Sequence, residues 1–121
     1  MTVPAGRRWE EFRDGVARRA VASKSSQSVV VELSREYQRL GSDDRAEVDV
    51  LLSSWLLSAD EAVRFDAVAV VDGNEVCSAI PALRELMGRL EASDEPGAVY
   101  EWAKVNRVLG RLATACDRDD C

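Results

Sequence analysis

Asp60-Glu61-Ala62-Val63-Arg64-Phe65-Asp66-Ala67-Val68-Ala69-Val70-Val71, a break at Gly73-Asn74, then Ala79-Ile80-Pro81-Ala82-Leu83-Arg84-Glu85-Leu86-Met87-Gly88-Arg89-Leu90 reads as two amphipathic helices joined by a turn. In the first half Val63, Ala67, Val70 and Val71 recur at helical intervals, and Ser58 or Asp60 precedes them as a cap. In the second half Ile80, Leu83, Met87 and Leu90 do the same, with Ser78 as the opening residue and Pro81 in the first turn. Proline suits that turn because its N–H groups have no helical acceptor. Ala67 leaves room for a neighbouring helix to come close.

Working outward, Ser42 is expected to cap a preceding helix whose first turn holds Asp43 and Asp44, where negative charge suits the helix dipole. Val48, Leu51, Leu52 and Trp55 form its apolar stripe. Before it, Val30, Leu33, Tyr37 and Leu40 line a helix over about Val29–Leu40, with Gly41 as its C-cap. A basic first helix from about Arg7 to Ala22 carries Trp9, Phe12, Val16 and Ala20, and Ser23–Ser28 reads as a linker. After a loop at Asp94–Gly97, a last helix runs from about Ala98 to Ala115, with Tyr100, Ala103 or Val105, Leu109 and Leu112 inward. Trp55 and Trp102 are read as core by their register with leucine and valine. Val29-Val30-Val31 and Val68–Val71 are β-branched enough for strands. Each sits inside a longer 3.6-residue pattern with no hairpin turn nearby, so helix is preferred.

The 121 residues fit one domain, and at 46% hydrophobic they can bury a core without a metal or disulfide staple. Its parts are expected to be a basic N-terminal helix and linker over 1–24, a helical body over 25–115 and a disordered tail over 116–121. Apolar runs such as Ala67–Val71 are far short of a membrane span. Arg7-Arg8 is followed by Trp9-Glu10-Glu11-Phe12 and not by the apolar run of an export signal, so the cytoplasm is expected. Cys77, Cys116 and Cys121 are an odd, irregular set and predict reduced thiols, with a Cys116–Cys121 redox pair as the alternative.

Histidine is absent, which removes the usual general base and the commonest metal ligand. No motif supplies carboxylate-only catalysis, so no catalytic residue, cofactor or metal is expected. The net charge of −6 is uneven: residues 1–24 carry six basic groups against three acidic, and the rest is at −9. An acidic body repels phosphate backbones and attracts basic partners, which argues against nucleic acid. The arginines of the first helix are expected to stay in water while Trp9, Phe12 and Val16 dock on the body.

The 60–90 pair resembles a HEAT-like helical repeat. Val63, Arg64 and Ala67 stand where such a repeat carries Val-Arg and a small residue in its first helix. Ile80, Pro81, Ala82, Leu83 and Leu86 match the aliphatic-Pro-Ala-Leu start and further leucine of the second. The preceding pair lacks the Val-Arg and the Pro. The resemblance implies an all-α, right-handed stack of about five to six helices in HEAT-like hairpins, since one hairpin cannot bury its own apolar face. It also implies that Arg64 bridges carboxylates of neighbouring helices.

The whole chain is similar to small acidic HEAT-like proteins encoded beside bacterial toxins. That similarity implies a protein-binding module, an immunity protein that covers the active site of a cognate, basic toxin domain. The alternative is a scaffold or adaptor subunit of another bacterial complex. The candidate partner-binding residues are Asp43, Asp44, Glu47 and Asp49, then Asp60, Glu61, Asp66, Asp72 and Glu75. Asp43, Asp44 and Asp60 could equally serve only their helix N-termini, and Asp66 could pair with an arginine of a neighbouring helix.

Overall fold

The computed structural model describes residues 7–14 and 27–118, which form six helices and no strand. They are α1 (7–14), α2 (Gln27–Arg39), α3 (Ser42–Leu56), α4 (Glu61–Gly73), α5 (Ile80–Glu91) and α6 (Ala98–Arg118), with a 3-10 turn at Cys77–Ala79 before α5. Both valine runs lie in helices, Val68–Val71 inside α4 and Val29–Val31 inside α2. The rest of the expected first helix, most of the expected linker and residues 119–121 lie outside the described residues.

The closest packing is between α5 and α6, then between α3 and α4. The short link after α3 returns α4 against it, and the loop before Ala98 does the same for α6 against α5. The two helices read as one hairpin, α4 and α5, scarcely touch, because the link from Asn74 to Ala79 and its 3-10 turn carry α5 across to α3. In turn α4 packs on α2 and α6 as well. The stack is therefore two antiparallel hairpins side by side, with α2 and α1 against the first.

Leu33, Val48, Leu52, Leu56, Ala67, Val70, Val71, Leu83, Val105 and Leu112 are fully buried between them. Each buried Leu or Val of this kind contributes about 1.5–3 kcal/mol.

The helix ends differ from expectation in instructive ways. Asp60 caps α4 as read, its Oδ1 accepting from the Ala62 N–H at 2.9 Å. The N-cap of α3 is Gly41, without a side-chain hydrogen bond, and Ser42 is already helical. Ser78 lies in the 3-10 turn, while Pro81 sits in the first turn of α5. Helix α6 continues past Ala115 to Arg118, so the expected tail begins inside a helix.

Arginines close several C-terminal ends whose carbonyls lack helical donors. Arg45 Nη2 donates to Gln38 O at 3.1 Å at the end of α2. Arg64 Nη1 donates to Ser58 O at 2.9 Å and Arg89 Nη1 to Leu57 O at 3.3 Å, both just beyond α3. At the last turn of α4, Arg111 Nη2 donates to Asp72 O at 2.6 Å.

Candidate functional site

Of the nine candidate carboxylates, seven fall at two separate ends of the stack, while Asp49 and Asp66 lie midway along α3 and α4. Gln38 Nε2 donates to Asn74 Oδ1 at 3.3 Å, tying the end of α4 to the end of α2, beside the start of α3. That end carries Asp43, Asp44, Glu47, Asp72 and Glu75; Asp60 and Glu61 stand at the other end of α4. Asp43, Glu47, Glu61 and Glu75 are exposed.

Asp44, Asp49, Asp60, Asp66 and Asp72 each have a partner named within the molecule. Asp44 lies 3.6 Å from Arg8 Nη2 of α1, and Asp60 caps α4. Asp72 is bonded by Arg111 of α6. Asp49 Oδ1 accepts from Tyr37 Oη at 2.7 Å, and this bond, after burial, pushes the phenol well above its ordinary range.

Asp66 is the exception in kind. It is only 7% exposed, and its Oδ2 accepts from Arg13 Nε at 3.0 Å and Nη2 at 2.8 Å. Burial still wins: desolvation raises the carboxyl above its usual range, with Arg13 pulling the other way. Asp66 is thus placed inside, where it anchors α1 to α4. Trp9, 2% exposed, completes that anchor, stacking on Trp55 at 6.1 Å and meeting Tyr37 edge-on at 6.3 Å. Phe12 packs beside it, partly buried, while Val16 falls outside the described residues. A signal for Asp66 existed in the sequence, since it shares a helix face with Val63 and Val70, one turn away on either side.

The second ion pair joins α4 to α6. Arg64 Nε and Nη2 donate to the two oxygens of Glu101 at 2.7 and 2.9 Å. This two-pronged bond raises the guanidinium pKa, against a smaller opposing effect of burial. The pair borders a cleft of about 530 Å³ between the α3–α4 and α5–α6 loops, also lined by Glu61, Arg89 and Glu95. Its two arginines are spent on Glu101 and on backbone carbonyls. Among the described residues, no three His, Cys, Asp or Glu are grouped to hold a metal ion.

Two further features depart from expectation. Tyr100, expected inward, is 80% exposed, and Ala103 is exposed too. The buried stripe of α6 is Ala98, Val105, Val108 and Leu112, and Tyr100 lies about 200° around the helix from Ala98. Trp102 is only partly buried, its Nε1 donating to Glu91 at 3.1 Å.

The second departure is covalent. Cys77 and Cys116, 39 positions apart in sequence, form a disulfide with Cα atoms 5.9 Å apart. It replaces both the expected free thiols and the alternative Cys116–Cys121 pairing. The geometry follows from α6 lying along the 3-10 turn, a proximity that no sequence spacing reveals.

No helix among the described residues is long and apolar enough to cross a membrane. Comparisons with protein-family models, with curated proteins and with solved structures found no match.

Proposed function

We propose that this chain is a protein-binding module, an immunity protein that neutralises a cognate bacterial toxin by laying a carboxylate-bearing face over a basic active site. The observation that carries the reading is how the charges are divided. Arg13, Arg45, Arg64, Arg89 and Arg111 are turned to internal carboxylates and helix ends. Asp43, Glu47, Glu61 and Glu75 remain exposed. With these arginines tied to the protein's own carboxylates and carbonyls, and with the chain beyond residue 24 at −9, such exposed acids attract basic proteins and steer their approach.

In this role the chain supplies no catalysis, cofactor or nucleic-acid contact. The stacked hairpins serve as a HEAT-like body, with α4 covered by α2, α3 and α6 as a repeat helix must be covered. The protein's proposed compartment is the cytoplasm, where glutathione would keep Cys77 and Cys116 as thiols and the fold would stand on its core alone.

The test is to purify the basic toxin encoded beside this chain, measure loss of its activity on mixing, and follow association across a salt series. Reversing Asp43, Asp44 and Glu47 to lysine together should slow association at least about tenfold and flatten its salt dependence. An unchanged association rate removes the electrostatic interface, and an uninhibited toxin removes the function.

A further inference from the structure

Two of the five large apolar side chains most exposed on the described surface lie together on the α4–α6 side: Phe65 at 46% and Tyr100 at 80%. Phe65 and Tyr100 flank a groove of about 370 Å³ whose floor is the buried Val68 and Val105 and whose rim carries Glu61, Glu101 and Lys104. Gly97 closes one end with open space where a side chain would stand.

The groove displays its own chemistry. Lys104 Nζ sits 3.9 Å from the centroid of Phe65, so the ring face is already used as a cation seat. A flexible lysine in that seat is held by one ring and can swing out. A guanidinium binds such a face better, because it is planar, weakly hydrated and able to stack. Its aliphatic stem needs an apolar floor, which Val68 and Val105 provide. Its charge needs a carboxylate, and Glu61 stands exposed in the first turn of α4. Glu101 is held by Arg64, which leaves Glu61 as the rim acid facing the newcomer.

We propose that this groove receives an arginine side chain from a protein partner, stacked on Phe65, flanked by Tyr100 and charge-paired with Glu61. The inference rests on the protein-binding reading above and locates a hot spot away from the carboxylates at the start of α3. Aromatic side chains that seat an arginine and are ringed by polar groups are the usual make-up of such centres.

The probe is a short peptide, acetyl-Gly-Leu-Arg-Leu-Gly-amide, titrated to roughly millimolar levels, where a single side chain is expected to bind, into the isotope-labelled full chain. Its counterpart carries citrulline, of the same shape without charge, in place of arginine. Amide shifts should cluster at Glu61, Phe65, Tyr100 and Lys104, and weaken at least about tenfold with citrulline. They should vanish in Tyr100→Ala, whose exposed position spares the fold, and in Phe65→Ala, provided the remaining spectrum is unchanged. No shifts, equal shifts with citrulline, or shifts centred on Asp43–Glu47 that survive both substitutions would overturn the groove. The lysine-reversed variant at Asp43, Asp44 and Glu47 should keep peptide binding. Failure of the peptide here with toxin inhibition intact sinks only this inference, whereas loss of toxin inhibition sinks the function.

Discussion

Opening the Cys77–Cys116 bond should cost the fold several kilocalories without changing its architecture. The bond closes a loop of 39 residues, and the chain-entropy relation for that length gives about 4 kcal/mol at 25 °C. Set against a total of about 5–15 kcal/mol for a domain, that is a large share. With a urea m-value of about 2 kcal/mol/M, the midpoint should fall by about 2 M in reductant. The m-value itself should rise, because the unfolded chain loses its cross-link and exposes more surface. The assay is urea unfolding followed by tryptophan fluorescence and circular dichroism, with and without a phosphine reductant. Cys77→Ser and Cys116→Ser in oxidising buffer should each match the reduced wild type, and Cys121→Ser should leave the oxidised midpoint in place. A midpoint indifferent to reductant, or three free thiols in the denatured oxidised protein, would rule out a stabilising Cys77–Cys116 bond. A reduced chain that cannot fold at 37 °C would also remove the cytoplasm from the proposed function.

Other outcomes follow from the buried charges and one strained residue. Arg13→Ala leaves the Asp66 carboxylate buried without its partner and should cost about 3 kcal/mol in urea unfolding, with the Arg13→Met/Asp66→Leu pair recovering most of it. Because the folded carboxyl of Asp66 is raised, its contribution is fully present below the unfolded value of about 3.9 and is lost as pH rises through the folded value. Asp66→Asn should remove that limb from a plot of midpoint against pH. Tyr37 is raised as well, so stability should fall above about pH 10, where only the unfolded phenol ionises, and Tyr37→Phe should flatten that fall. Glu75 holds φ at 51°, a left-handed backbone that costs a side-chain-bearing residue energy, and Glu75→Gly should stabilise by roughly 1 kcal/mol in thermal unfolding.

The pattern from Asp60 to Leu90 made two helices legible because each signal there is local: a capping carboxylate, apolar residues one turn apart, a proline in a first turn. What lay beyond reach was relational. Periodicity found α6 but wrongly set Tyr100 inward, since Ala98, Tyr100 and Trp102 give competing stripes, and only packing on α5 selects the one through Ala98 and Val105. The same holds for the link from Asn74 to Ala79, whose length was visible but whose course toward α3 was not. Cysteine spacing could not reveal a bond made by helices that meet side by side. Of the candidate carboxylates, composition located the charge, while the arginines that absorb Asp66 and Asp72 come from α1 and α6, remote in sequence.

The short helix at 7–14 reaches three others at once: Trp9 meets Tyr37 of α2 and Trp55 of α3, and Arg13 neutralises Asp66 of α4. Any shortened version that begins at residue 27 therefore strips the cover from two aromatic rings and strands an anion in a greasy setting. The sensible place to trim for crystallisation or fusion is not the basic leading segment, however much its composition suggests an appendage.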